Sequence, residues 1–392
     1  MLSWYAKEVH GTSKFLTWAI VSLILFIVSV LQVGPRILHH PDPMDETRLQ
    51  HHLGDGSSDA GLLFAHEYWQ AHGMLSTKLV PCLNLKPSGE CVPYTHYPPV
   101  LYLFSSLLLS FFKNLASPVN SLILTRMVIY LLGVGAISFA LVQLMQVWPR
   151  PRAIFFALSA LIGLLPGFVI YADNLFGHGI ALALQFLCFS HVLSRPKAER
   201  VDCVVFFGLS TLIFWWNLEP LPFFLLVPLL ILFQNKNSTA AVFRFFLVAL
   251  LAFCLSGGLR IAQNAWVLGG FDLLLEDWQK ILSQRVAGAR PGILEFALEQ
   301  FRYQRIMITK WGQVWLFSSM AGLLFHSRKR GGFLIAVYLM ALSWNFIFVE
   351  HSMIHLFTAK AVLIPFARSV LFVSAAVWER VSHNPSPPAS LR

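Results

Sequence analysis

Residues 15–33 read FLTWAIVSLILFIVSVLQV, nineteen positions without a charged side chain, preceded by Lys7 and Lys14. A helix rises about 1.5 Å per residue, so this run covers about 28 Å, close to the hydrocarbon thickness of a bilayer. It is long for the apolar core of a secretory signal, and no small-residue cleavage site follows it. It is therefore expected to remain as a first membrane span with the N-terminus inside. Comparable apolar runs recur along the chain, at residues 121–148, 153–171, 176–193, 201–216, 221–233, 242–262, 311–325, 332–348 and 355–378. Of the 392 residues, 56% are hydrophobic and 12% are charged, where soluble domains carry roughly a quarter charged. The expectation is an all-α integral membrane protein, a polytopic bundle of about ten transmembrane helices forming a single domain over residues 1–392.

Charge sets the orientation. Residues 100–112 are apolar but short, and they follow Pro98-Pro99 directly. If they do not cross, then Arg150, Arg152, Arg195, Lys197, Arg200, Lys236, Arg328-Lys329-Arg330 and the tail from Arg380 all face the cytoplasm, as the positive-inside bias requires. If they cross, every one of these groups is flipped outward. Residues 100–112 are therefore expected as a juxtamembrane or re-entrant helix. Two large extracytoplasmic segments result, residues 34–120 and 263–310, with smaller outer turns near Asp173, near Glu219 and at residues 350–355. The net charge of +10 is accounted for by the basic connections and calls for no nucleic acid.

The first outer segment carries the densest chemistry. Asp45 and Glu46 are adjacent carboxylates, and mutual repulsion favours keeping one protonated while the other stays ionised. Such a division suits a general base beside an orienting or metal-binding acid; a solvated acidic loop is the plain alternative. Residues 59–72, with Leu62, Leu63, Ala65, Tyr68 and Trp69, form an amphipathic stretch expected to lie at the interface. Tyr94-Thr95-His96-Tyr97-Pro98-Pro99 comes next, where two prolines fix the backbone at the entry of the short apolar helix. Cys82 and Cys91 flank a polar stretch, and in an oxidising compartment a disulfide would close it. Cys188, Cys203 and Cys254 lie in apolar runs and read as core residues. His39, His40, His51, His52, His66, His72 and His96 crowd the same segment without compact metal-ligand spacing. No cofactor is demanded by any motif. A divalent metal ion is the one candidate, with Asp45, Glu46 and His96 as the ligands to test.

Together these elements resemble the GT-C superfamily of membrane glycosyltransferases, in particular the protein O-mannosyltransferase and aminoarabinose-transferase branch. Asp45-Glu46-Thr47-Arg48 after the first span is similar to that family's acidic signature with its arginine, and Tyr97-Pro98-Pro99 to the proline element that succeeds it. Leu124-Thr125-Arg126 resembles the family's next helix start. Pro166 with Asp173 resembles its second acid, and Glu350-His351 with His355 before Pro365 its late outer turn. Leu49-Gln50 and Tyr97 depart from the family pattern, which leaves donor and acceptor open. The resemblance implies a GT-C-like fold, a polyprenyl-phosphate-linked monosaccharide donor and an inverting single displacement. Asp45 would serve as catalytic base, with Glu46 and Asp173 as supporting acids. Arg48, His96, Tyr97, Arg126, Arg260, Arg305, His351, His355 and Lys360 are the substrate-binding candidates. Arg302 is a further cation near the outer boundary, and Arg368 lies deeper, where pairing within the bundle is expected. Lys360 can equally be read as snorkelling to the headgroups.

The physics is coherent on its own terms. A lipid-linked sugar phosphate keeps its tail in the bilayer and presents its anomeric carbon at the outer surface, where a carboxylate can accept the acceptor's proton. The expected partners are that donor, membrane lipids and a glycan, lipid or protein acceptor, at a bacterial inner membrane with the site facing the periplasm. Two other readings stay open: a flippase or transporter of lipid-linked sugars, and a polysaccharide polymerase. Gly163 and Gly167 form a GxxxG most simply read as helix packing, and Gly177-His178-Gly179 lacks the strand context of a nucleotide loop.

Overall fold

The computed structural model describes residues 12–43, 56–95, 98–147, 152–234, 238–286, 292–349, 352 and 355–383. Helix α1 (Thr12–His39) leads to α2 (Gly56–His72), a two-stranded antiparallel hairpin of β1 (Cys82–Leu85) and β2 (Cys91–Pro93), and the short α3 (Pro99–Lys113). Then come α4 (Pro118–Val147), α5 (Arg152–Leu164), α6 (Pro166–Val169), α7 (His178–Ser194) and α8 (Arg200–Trp216). The second half comprises α9 (Leu221–Leu226), α10 (Ile231–Gln234), α11 (Thr239–Leu268), α12 (Phe271–Val286) and α13 (Ile293–His326). It closes with α14 (Arg328–Ala341), α15 (Ser343–Ile347) and α16 (Leu363–His383), the last preceded by a 3₁₀ segment at Leu356–Val362.

Four stretches of the described chain are helical, long and apolar enough to cross a membrane: Lys14–His39, Pro118–Val147, Thr239–Leu268 and Leu356–Arg380. Shorter apolar helices stand at Pro99–Lys113, Arg152–Leu164, His178–Ser194 and Leu221–Gln234. The surface agrees with a lipid setting. On α11, Phe243, Leu247, Leu251, Leu255 and Leu259 recur every fourth residue and are all exposed, while Ala241, Ala249, Ala252 and Ser256 turn inward. Residues four apart share a helix face, so large apolar residues line the outside, while the inward face is mostly small apart from Phe245 and Arg260. Soluble monomers rarely expose such a continuous apolar face, whereas membrane bundles pack on small residues and show large ones to lipid.

Several expected spans are interrupted, each for a local reason. The run expected over 153–171 ends at Leu164, because Pro166 has no N–H and Leu165 before it is extended (φ −76°, ψ 130°). Gly163 and Gly167 therefore sit on two helices. Gly163 lets α5 close on α1, where a Cβ would stand 3.2 Å from the Leu25 carbonyl, and Gly167 faces Leu363 and Met307. The run over 221–233 splits into α9, a 3₁₀ turn at Val227–Leu230 and α10, with Pro222 and Pro228 near the starts of the first two. Residues 332–348 divide between α14 and α15, and 355–378 open as 3₁₀ before α16. The run over 311–325 belongs to the longer α13, whose helical backbone breaks at Thr309 (φ 65°, ψ 166°). The Thr309 hydroxyl accepts from the Gly312 N–H at 3.2 Å and caps the helix beyond the break. Residues 263–310, expected as an outer segment, are largely helical, holding the end of α11, α12 and the first half of α13.

Helices α1, α4 and α5 pack together, α4 also lies along α7, α8 along α11, and α13 against α14 and α16. Polar pins register the first group: Ser159 donates to the Val21 carbonyl at 2.9 Å, and Ser29 and Tyr130 share a hydrogen bond of 2.6 Å. One end of this group holds a cluster of buried charges.

Candidate functional site

Four separate segments bring ionised side chains to one buried point. Arg36 comes from the last turns of α1, Asp59 from the first turn of α2, Arg126 from the first third of α4, and Asp173 with Asn174 from the turn before α7. Arg126 is fully buried. Its Nη1 donates to Asp59 Oδ2 at 2.8 Å and to the Asp173 carbonyl at 3.0 Å, and its Nε donates to the Pro41 carbonyl at 2.8 Å. Arg36 forms an ion pair with Asp173 and donates to the Val169 carbonyl at 2.7 Å. Asp173 Oδ2 lies 3.8 Å from Arg126 Nη1. The other oxygen of Asp59 accepts from Asn174 Nδ2 at 2.8 Å and from the Phe176 N–H at 2.9 Å.

Among the described residues, two guanidiniums and two carboxylates therefore face one another out of solvent. Such a cluster gains little over an apolar core of the same shape, but removing one member strands the rest. Its effect is to fix geometry: the end of α1, the start of α2 and the Asp173 turn hold one arrangement. The turn is set further by Gly177 (φ 71°), whose missing side chain makes room for the Trp216 ring; the Trp216 indole N–H donates to the Gly177 carbonyl at 3.1 Å.

A second buried pair lies beyond the turn. Lys360, in the 3₁₀ segment, donates to Glu219 Oε2 at 2.6 Å and to the Phe357 carbonyl at 3.2 Å. With 2% of its surface exposed, Lys360 does not snorkel. Between the two charge clusters stands His178, fully buried, its ring stacked on Phe357 at 4.3 Å and edge-on to Tyr171 at 5.5 Å. His355 stacks on the same Phe357 ring at 4.9 Å.

The outer segment is tied down from the side. Arg260, buried on the inward stripe of α11, donates to the Thr95 carbonyl at 2.8 Å, and the Thr95 hydroxyl donates to Asp277 of α12 at 2.7 Å. Lys78 donates to the Trp266 carbonyl at 2.8 Å. Cys82 and Cys91 are joined as a disulfide across the hairpin, with Cα atoms 5.6 Å apart. His66 of α2 shares a 2.7 Å hydrogen bond with the Ser106 hydroxyl of α3. Burial pushes its imidazole below the ordinary histidine value, and Lys113 adds to the effect.

The sequence candidates thus fall in three groups. Asp45, Glu46, Arg48, His96, Tyr97 and His351 lie outside the described residues. Arg126 and Asp173 meet in the central network, Lys360 and His355 stand at the neighbouring stack, and Arg260 anchors the chain leading to position 96. Arg305 is exposed on α13 and joins neither cluster. Sequence reasoning does not single out Arg36, Asp59, Asn174, His178 or Glu219 as site residues; Glu219 enters it only as the marker of an outer turn. No group of three or more histidine, cysteine or acidic side chains placed to hold a metal occurs among the described residues. Compared with known proteins, the chain matches no family model, and no curated protein matches it.

Proposed function

We propose that this chain is a membrane glycosyltransferase that moves a monosaccharide from a polyprenyl-phosphate donor to an acceptor hydroxyl on the extracytoplasmic face. In this reading about ten passes cross the bilayer, the basic connections face the cytoplasm, and the membrane is a bacterial inner membrane. The disulfide of the hairpin supports placing residues 34–120 in an oxidising compartment. The observation that carries the reading is the grip of Arg126 on the Pro41 carbonyl, Asp59 and Asp173 at once. Asp45 lies four residues beyond Pro41, and four residues of any chain reach no more than about 14 Å. In this reading the acidic pair works beside the buried charge cluster at the end of α1.

Beside that cluster Asp45 is the base. The acceptor oxygen attacks the anomeric carbon, its proton passes to the Asp45 carboxylate, and the bond from that carbon to the phosphate oxygen breaks. Polyprenyl phosphate leaves with the bonding electrons, and the sugar is transferred with inversion. Asp173 is matched by Arg36 and Arg126, so it acts as a positioning residue and leaves proton transfer to the acidic pair. Lys360 is matched by Glu219, which leaves Arg48 and Arg305 as candidate cations for the departing phosphate.

The test is release of labelled sugar from a synthetic polyprenyl-phosphate donor by the purified protein in detergent. Wild type is expected to transfer and Asp45→Asn to lose at least a hundredfold in rate, with unchanged insertion and elution. Undiminished transfer by Asp45→Asn removes the base, and translocation without sugar release assigns the chain to transport.

A further inference from the structure

The end of the bundle away from the Arg36–Asp59–Arg126–Asp173 network holds a cavity of about 710 Å³. Helix α4 measures the separation. Arg126 binds Asp59 near one end, and Gln146, twenty residues on, lines the cavity. At about 1.5 Å per residue that is about 30 Å, the thickness of a hydrocarbon core. The cavity therefore opens at the opposite membrane face, among the connections that carry Arg195, Lys197 and Arg328.

Its lining is selective in charge. Lys329, Arg330 and Arg368 contribute to it together with Gln146, Ser194 and Gln234, and its described residues include no carboxylate. Arg368 is 3% exposed, and its guanidinium carbon lies 3.7 Å from the Phe372 ring centroid and 5.1 Å from that of Phe333. Stacking engages the face of a guanidinium, while its N–H groups lie in the plane and serve oxygens there. Arg330 is held by Glu379, to which it donates at 3.0 and 2.8 Å. Lys329 reaches the Gln234 carbonyl at 3.5 Å and is otherwise exposed. Three cations, the hydroxyls of Ser194 and Ser327, and two side-chain amides around a space of ligand size form a setting for a tetrahedral oxyanion.

We propose that this cavity is a phosphate-binding site, filled by the headgroup of an anionic lipid from that leaflet or by a small phosphate-bearing solute. The site stands independently of the transfer reaction assigned to the other face. The positive charge expected to orient the chain in the membrane here also lines an open cleft.

The experiment uses the full chain after exhaustive delipidation. One arm reconstitutes it in nanodiscs of phosphatidylcholine with or without phosphatidylglycerol and counts retained lipid by native mass spectrometry. The other titrates pyrophosphate against thermal unfolding, with chloride at equal ionic strength as control. Retention of phosphatidylglycerol over phosphatidylcholine identifies a lipid site, and stabilisation by pyrophosphate a solute site. In whichever arm binds, Lys329→Gln is expected to weaken binding about tenfold. Glu379→Gln is expected to tighten it severalfold, since it unmasks Arg330, a sign that loss of structure does not produce. Binding in neither arm, or binding indifferent to both variants, overturns the proposal.

Discussion

Arg126 is the one charged side chain among the buried residues of α4, and it contacts three segments that are distant in sequence. Its partners sit at positions 41, 59 and 173, and its planar fork serves them together, which a lysine ammonium cannot do. Arg126→Met leaves the Asp59 and Asp173 carboxylates buried against one remaining guanidinium. The expected cost is about 3–5 kcal/mol, the range for breaking a buried pair, read as a large fall in unfolding temperature of the detergent-solubilised protein. Arg126→Lys should fall between Met and wild type. Adding Asp59→Asn to Arg126→Met should recover part of the loss, because the stranded charge goes with it; strictly additive penalties would mean that the two side chains are not coupled. Sequence reaches Arg126 and Asp173 through the resemblance of their motifs. Arg36 and Asp59 leave no such trace, since their partners stand 137 and 67 positions away and pairing over that distance marks nothing local.

The docking of α2 on α3 is a matter of elements. Leu62, Ala65 and Trp69 are buried along one side of α2, Gln70 donates to Ser110 at 2.8 Å, and His66 meets Ser106 between them. Because the His66 imidazole is held below its ordinary value of 6.5, the unfolded chain takes up its proton first as pH falls. The contribution of this contact is therefore complete above about pH 6.5 and is lost as pH drops through the lowered folded value. Wild type should lose more thermal stability between pH 7.5 and pH 5 than His66→Gln does, by several degrees, and identical slopes would remove His66 from the account. The helix itself is legible in the sequence, as residues 59–72 lie within Gly56–His72, and α3 is legible from Pro98-Pro99 and the apolar run after them. The breaks are less so. Pro166, Pro222 and Pro228 are visible, but hydropathy runs straight through them, and an apolar stretch does not announce where its backbone hydrogen bonding fails. The hairpin at Cys82–Pro93 is hidden for the opposite reason: β1 and β2 are too short for an alternating pattern, and their pairing closes a polar turn at Lys86–Glu90.

At the scale of the molecule, α4 is long and apolar enough to cross a membrane, and the regions around its two ends differ in charge. One end gathers balanced pairs, Arg36 with Asp173, Arg126 with Asp59 and Lys360 with Glu219, all buried. The other carries an excess of exposed or cavity-lining cations. Moving Lys and Arg across a bilayer is costly, so the second end should stay where the chain is made. Asp42, exposed just past α1, and Lys329, exposed at the start of α14, sample the two ends. With Cys188, Cys203 and Cys254 replaced by serine and the Cys82–Cys91 pair retained, Asp42→Cys should react with a membrane-impermeant maleimide on intact cells. Lys329→Cys should react only once the membrane is opened. The converse pattern would put Asp45, three residues beyond position 42, on the cytosolic side. There it would have no access to a sugar presented at the outer surface, and the proposed transfer would lose both its base and its donor.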